Sequence, residues 1–93
     1  MLYRTSVSED DIGELDDLRS EFIKIYHKHG VKIIGYWRDK NKPVHTYYMS
    51  EYKDEEEYRS TIEKLHSDED YIRLSARLNA IRTDSTVTRL IPL

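Results

Sequence analysis

Among the polar residues of this 93-residue chain, His45 is the one with the most chemistry open to it. Imidazole titrates near neutrality, so a histidine in an aromatic cavity can exchange a proton with a phenolic or enolic compound. Tyr47 stands two residues on, and the run Tyr36–Trp37 lies on the preceding strand-like segment. The plainer role for His45 is that of a hydrogen-bonded strand histidine near the end of a hairpin. Tyr36, Trp37, Tyr47 and Tyr48 can line a pocket for a flat, apolar ligand, with phenolic hydroxyls orienting it. The default for most of them is core or subunit interface. Arg4 and Arg89 fall on the first and last strand-like segments and can meet an anionic ligand, although ion pairing with Glu51 is the more ordinary task for either.

Other chemistries find no support. His27 and His29 point about 200° apart on a helix and cannot chelate one metal together. They read as favourable charge at a helix C-terminus, and His66 reads as solvated at a helix break. The acidic runs Glu9–Asp11, Asp54–Glu57 and Asp68–Asp70 coincide with helix starts and match no calcium-loop spacing, so they are caps. There is no Glu-x-x-His pair, Gly-rich phosphate loop or serine nucleophile elbow. Cysteine is absent, which removes disulfides, thiolate zinc sites, iron–sulfur clusters and thiol nucleophiles. No metal and no cofactor is expected.

Composition narrows the class further. A net charge of −3, from 15 basic and 18 acidic side chains, speaks against a nucleic-acid module. No apolar run approaches a membrane span, and no charged-then-apolar leader is seen, so a cytoplasmic location is expected. At this length the chain is read as one domain, residues 1–93. Its unusual feature is eight tyrosines.

The elements that must position these residues follow from periodicity. Leu2–Val7 reads as a strand, and Ser8–Asp11 as a capping box opening a helix whose true start lies nearer Gly13. Ile12, Leu15, Leu18, Phe22, Ile25 and Tyr26 form its 3.6-residue stripe, and Gly30 suits the left-handed position after it. Val31–Arg38 and Pro43–Tyr52 read as strands of a hairpin closed by Asp39–Lys42. Asp54 and Glu57 resemble a second capping box, with Tyr58, Ile62 and Leu65 inward. A third helix starts at Ser67–Asp70 and carries Tyr71, Leu74, Leu78 and Ile81 inward. Thr86–Ile91 reads as the last strand. The order β-α-β-β-α-α-β is that of an α+β, ferredoxin-like split βαβ fold: a four-stranded antiparallel sheet with helices on one face.

Such a sheet should alternate apolar and polar residues, and this one does not. With Arg38 opposite Pro43, one face of the hairpin shows Val31, Ile33, Trp37, Val44 and Tyr48. The other shows Ile34, Tyr36, Tyr47 and Met49. A register slip exchanges partners but leaves each strand two-faced. Burying a large apolar side chain is worth on the order of 1.5–3 kcal/mol, so a second copy packed sheet against sheet is expected. The predicted partner is the chain itself.

His45-Thr46-Tyr47-Tyr48-Met49, then Glu51-Tyr52-Lys53-Asp54, an acidic helix and Asp68-Glu69-Asp70-Tyr71 resemble the NIPSNAP-like branch of the dimeric α/β-barrel superfamily. His29-Gly30-Val31-Lys32-Ile33-Ile34-Gly35-Tyr36-Trp37 resembles that family's strand of the form His-Gly, apolar, Gly, aromatic, Trp. The resemblance runs from Leu2 through Ile91. It departs at Glu69 and Tyr71, where the family usually has Pro and Trp; tyrosine keeps the aromatic anchor, and loss of Pro weakens the helix-start signal. The resemblance implies a homodimer whose two sheets close a barrel-like core, with a cavity between each sheet and its helices that holds a small organic molecule in related branches. Relatives include cofactor-independent monooxygenases, isomerases, decarboxylases and ligand sensors, and fold analogy does not choose among them.

Three readings stay open from the sequence. The first is a homodimer with a small-molecule pocket and no assigned reaction. The second is a cofactor-independent monooxygenase- or isomerase-like enzyme acting on an aromatic or enolic compound, with His45 as base. The third is a structural or regulatory dimer with no ligand.

Overall fold

Gly30 is the one residue with a positive φ (71°), and it ends the first helix where the sequence places a left-handed turn. The computed structural model describes residues 1–93 and runs β1 (Leu2–Val7), α1 (Ile12–Lys28), β2 (Lys32–Arg38), β3 (His45–Glu51), α2 (Glu55–His66), α3 (Glu69–Ile81) and β4 (Arg82–Thr88). The sheet order is β2-β3-β1-β4, with every neighbouring pair antiparallel. This is the split βαβ arrangement expected. Its shortest dimension is 18 Å, the depth of one helix layer on one sheet, so the second face of the sheet is uncovered.

The helix layer supplies most of the core. Leu18, Phe22 and Ile25 of α1 meet Leu65 of α2 and Leu74 of α3, flanked by Tyr26, Ile62, Tyr71, Leu78 and Ile81. These are the stripes read from periodicity. The cap of α2 forms as expected, with Asp54 accepting from the Glu57 amide at 2.8 Å, while Glu57 reaches back one residue past the N-cap to accept from the Lys53 amide at 2.5 Å.

A cap, a strand boundary and a register differ from the expectation. Ser8 makes no capping bond to the backbone; its hydroxyl donates to the Asp11 carboxylate at 2.9 Å, and a short 3-10 turn over Glu9–Asp11 precedes α1. The start of α3 falls within Ser67–Asp70 as expected: its N-cap is Asp68, while Ser67 closes α2 with its amide on the Glu63 and Lys64 carbonyls. The last strand is Arg82–Thr88, not Thr86–Ile91, and it follows α3 without a loop. It lies at the sheet edge, where backbone pairing to β1 tolerates a polar sequence, and the apolar alternation further on is not used. In the hairpin, Arg38 faces Thr46 rather than Pro43. The cause is the loop: Asp39 accepts from the Asn41 and Lys42 amides at 2.8 and 2.9 Å, and the His45 amide reaches the Lys42 carbonyl at 2.9 Å. Those bonds shape residues 39–44 as the connection between β2 and β3.

A three-residue shift is odd, so it exchanges which faces of the two strands coincide. Tyr36 now pairs with Tyr48 and Trp37 with Tyr47. A bulge between Ile33 and Gly35 leaves Ile34 as the extra residue. Both faces nevertheless carry large apolar groups, as anticipated.

Candidate functional site

Tyr3, Tyr36 and Tyr48 occupy one row across three strands, and strand alternation turns that row toward the helices. Tyr3 stacks on Tyr48 with centroids 4.5 Å apart and planes at 8°. Tyr36 approaches Tyr48 at 5.8 Å, and Tyr26 of α1 closes over it at 6.1 Å with its hydroxyl 3.4 Å from that of Tyr48. Phe22 and Tyr71 continue the aromatic wall into the helix layer, edge to face at 5.8 Å.

This wall borders a cavity of about 730 Å³ between the sheet and helices α1 and α3. Leu15 and Leu78 add to its apolar part; Thr5, Thr46, Ser75 and Asn79 add neutral polar groups, and Arg19 and Arg82 add cations. Ile72 and Val87, each about half exposed (53% and 54%), also line it, so the cavity reaches solvent between α3 and β4. The Tyr36 hydroxyl is buried on this wall without a hydrogen-bond partner.

Burial raises the pKa of Tyr3, Tyr26, Tyr36, Tyr48 and Tyr71, in each case as the largest cause, because a phenolate would be poorly solvated there. At neutral pH these hydroxyls keep their protons and act as hydrogen-bond donors, not as bases. No cluster of three His, Asp or Glu side chains gathers to hold a metal ion.

Of the residues singled out in the sequence, Tyr36 and Tyr48 point into the cavity. Tyr47 and Arg4 border it from the same strands, but alternation turns their side chains to the open face. Trp37, Arg89 and His45 do not line it. Trp37 is 50% exposed on the open face and lies across Gly35, where a Cβ would stand 2.8 Å from its ring. Arg89 lies beyond β4, bound to Glu55 at 3.1 Å and over the Tyr58 ring at 5.1 Å. Arg4 pairs with Asp84 and Glu51 pairs with Lys32, so neither arginine has Glu51 as partner.

His45 does not adjoin Tyr36, as the expected register required. It pairs with Ser6 of β1, whose hydroxyl is 2.5 Å from Nδ1. Ser6 is itself buried, so this hydrogen bond is held between β1 and β3 away from solvent.

Some contributors went unremarked in the sequence. Arg19, Arg82, Ser75 and Asn79 line the cavity but carry no motif. His66 is exposed, as its place at a helix break implies, and it also borders the cavity and stacks on Tyr71 at 6.1 Å. His29 does more than complement a helix end: its Nε2 is 2.7 Å from the buried Asp68 carboxylate. Only Arg19 had a possible signal, since it falls one position beyond Leu18 on the apolar stripe's border.

Solved structures share this architecture. A NIPSNAP family protein from Agrobacterium tumefaciens superposes with a TM-score of 0.86 over 99% of this chain and 90% of its own, at 22% identity. An uncharacterized NIPSNAP domain protein from Burkholderia xenovorans gives 0.84 over 100% and 95%, at 17% identity. An antibiotic biosynthesis monooxygenase gives 0.72 over 98% and 96%, also at 17% identity. No family model matches the sequence, and no curated protein is significantly similar to it. At these identities the likeness establishes the fold, which is the one the resemblance implied, and leaves activity to the site.

Proposed function

We propose that residues 1–93 form one NIPSNAP-like domain that works as a homodimer and binds a small organic molecule in the sheet–helix cavity, with no reaction assigned to it. The observation that carries the reading is the Tyr36 hydroxyl, buried and unpartnered on the wall of a cavity of about 730 Å³. Buried polar groups in folded proteins normally have partners. The Tyr36 donor is unused within the protein, and a small turn of its side chain would aim it at something that enters. The flat faces of Tyr48, Tyr26 and Phe22 suit a planar, largely apolar body. The likeness to NIPSNAP structures and to a monooxygenase supports the fold on which this reading rests.

Binding is favoured over the reading with His45 as base, because His45 lies off the cavity and its Nδ1 is engaged by Ser6. The test is a thermal-shift screen of aromatic and enolic compounds. A ligand at 100 times its Kd stabilises by about 2.7 kcal/mol, which raises Tm by roughly 10 °C or more in a domain this small. Ser75→Phe, which fills the cavity from α3, should remove the shift, while His45→Ala should keep it. A shift that survives Ser75→Phe but is lost in His45→Ala would overturn the assignment, as would a screen in which no compound stabilises the protein.

A further inference from the structure

We infer that the cavity selects organic anions: a flat aromatic acid whose anionic oxygens sit at the end marked by Tyr36 and Arg19. This rests on the pocket reading above and adds the ligand's charge to it. The first observation is a contrast of sign. The chain carries a net charge of −3 and 18 acidic side chains, yet no aspartate or glutamate lines the cavity, while Arg19 and Arg82 do.

The second observation is that these cations are not neutralised. Arg19 and Arg38 both donate to the same oxygen of Asp16, Arg19 at 2.7 Å, so two guanidinium groups share one carboxylate. One positive charge is left over at that end. Arg82, at the opposite edge of the sheet, donates to the neutral amide oxygen of Asn79 and forms no ion pair. A cation without a counter-ion beside an apolar wall favours an anion over an isosteric neutral molecule.

The third observation is the Tyr36 hydroxyl, an O–H donor with no acceptor in the protein. Burial holds it protonated, and the positive charge of Arg19 acts on it from nearby. With the Tyr36 side chain turned slightly into the cavity, a carboxylate or sulfonate oxygen accepts from its hydroxyl and faces Arg19, a charge-assisted arrangement stronger than a neutral hydrogen bond. The aromatic body then extends over Tyr48 and Tyr26 toward Arg82.

The test compares two fluorescent probes with the same aromatic skeleton, anilinonaphthalene sulfonate and the neutral phenylnaphthylamine, titrated into the full chain. The sulfonate should bind about tenfold tighter, with the preference narrowing as salt rises from about 0.05 to 0.5 M. Tyr36→Phe removes a hydroxyl that has no protein partner, so Tm should hold while sulfonate affinity falls several-fold, and by more than neutral-probe affinity does. Arg82→Gln should act in the same direction and carries the comparison should Tyr36→Phe fold poorly. If the neutral probe binds as tightly as the sulfonate, or if both variants leave sulfonate affinity unchanged, the anion inference is overturned and the pocket reading stands. If neither probe binds, both fall.

Discussion

Asp68 shows how much one side chain can hold in this fold. Its carboxylate is 4% exposed, caps α3 by accepting from the Asp70 and Tyr71 amides at 2.9 and 3.2 Å, and meets His29 at 2.7 Å and Lys28 at 3.0 Å from the end of α1. The His29 hydrogen bond, followed by that of Lys28, lowers its pKa well below the ordinary carboxylate range against the opposing effect of burial. A carboxyl whose folded pKa is depressed contributes stability in full above its unfolded pKa and loses it as pH falls toward the folded value. Thermal unfolding should therefore be insensitive to this group above about pH 4 and become less favourable to the fold as acid is added below that. Asp68→Asn retains an N-cap oxygen but removes the charge, so it separates the two roles. It should lower Tm at neutral pH and flatten the acid-side loss. Melts across the acid range check this, and an unchanged acid slope would exclude the ion pair as its source.

At the scale of elements, helix starts are local and strand partnerships are not. The Asp54–Glu57 box could be read directly, because both of its bonds join residues within one turn. Asp54→Ala should destabilise by about 0.5–2 kcal/mol, measured by denaturant titration. The hairpin behaves differently. Its two strands were legible from β-rich runs, yet the partner of Arg38 was set by hydrogen bonds inside the Asp39–Val44 loop. Shifting the register also moved His45 from the neighbourhood of Tyr36 to that of Ser6. The edge strand went astray for a related reason: β4 is held by backbone pairing to β1, and backbone bonds leave little trace in side-chain pattern.

At the scale of the molecule, only 11 of 93 residues are buried, and the open face of the sheet carries Trp37 at 50% and Ile34 at 48% exposure beside Tyr47 and Met49. An apolar face of this kind beside so small a core supports the proposed dimer, sheet to sheet. Trp37 is laid flat over Gly35, a surface ready to be covered. Trp37→Glu places a charge at its centre and should convert the dimer to a monomer with lower Tm, read by light scattering at micromolar concentration. A wild-type chain already monomeric under those conditions would refute the assembly. The helix face and the open face thus divide the aromatic residues between them. Tyr3, Tyr26, Tyr36, Tyr48 and Tyr71 belong to the cavity wall, while Tyr47 and Trp37 face outward.

The sequence by itself determined the order of elements, the inward stripes of α1, α2 and α3, the start of α2, and the fact that the sheet has two apolar faces. These depend on side-chain periodicity and on bonds between residues a few positions apart, both of which are written along the chain. Tertiary structure alone decided that Tyr36 and Tyr48 face the helices while Trp37 and His45 do not, that Arg19 and Arg82 reach the same cavity, and that Asp68 ties two helices together. Each of those outcomes hangs on register or on packing between segments distant in sequence. A single-residue slip reverses a strand's faces, and no local pattern records which slip the loop will enforce.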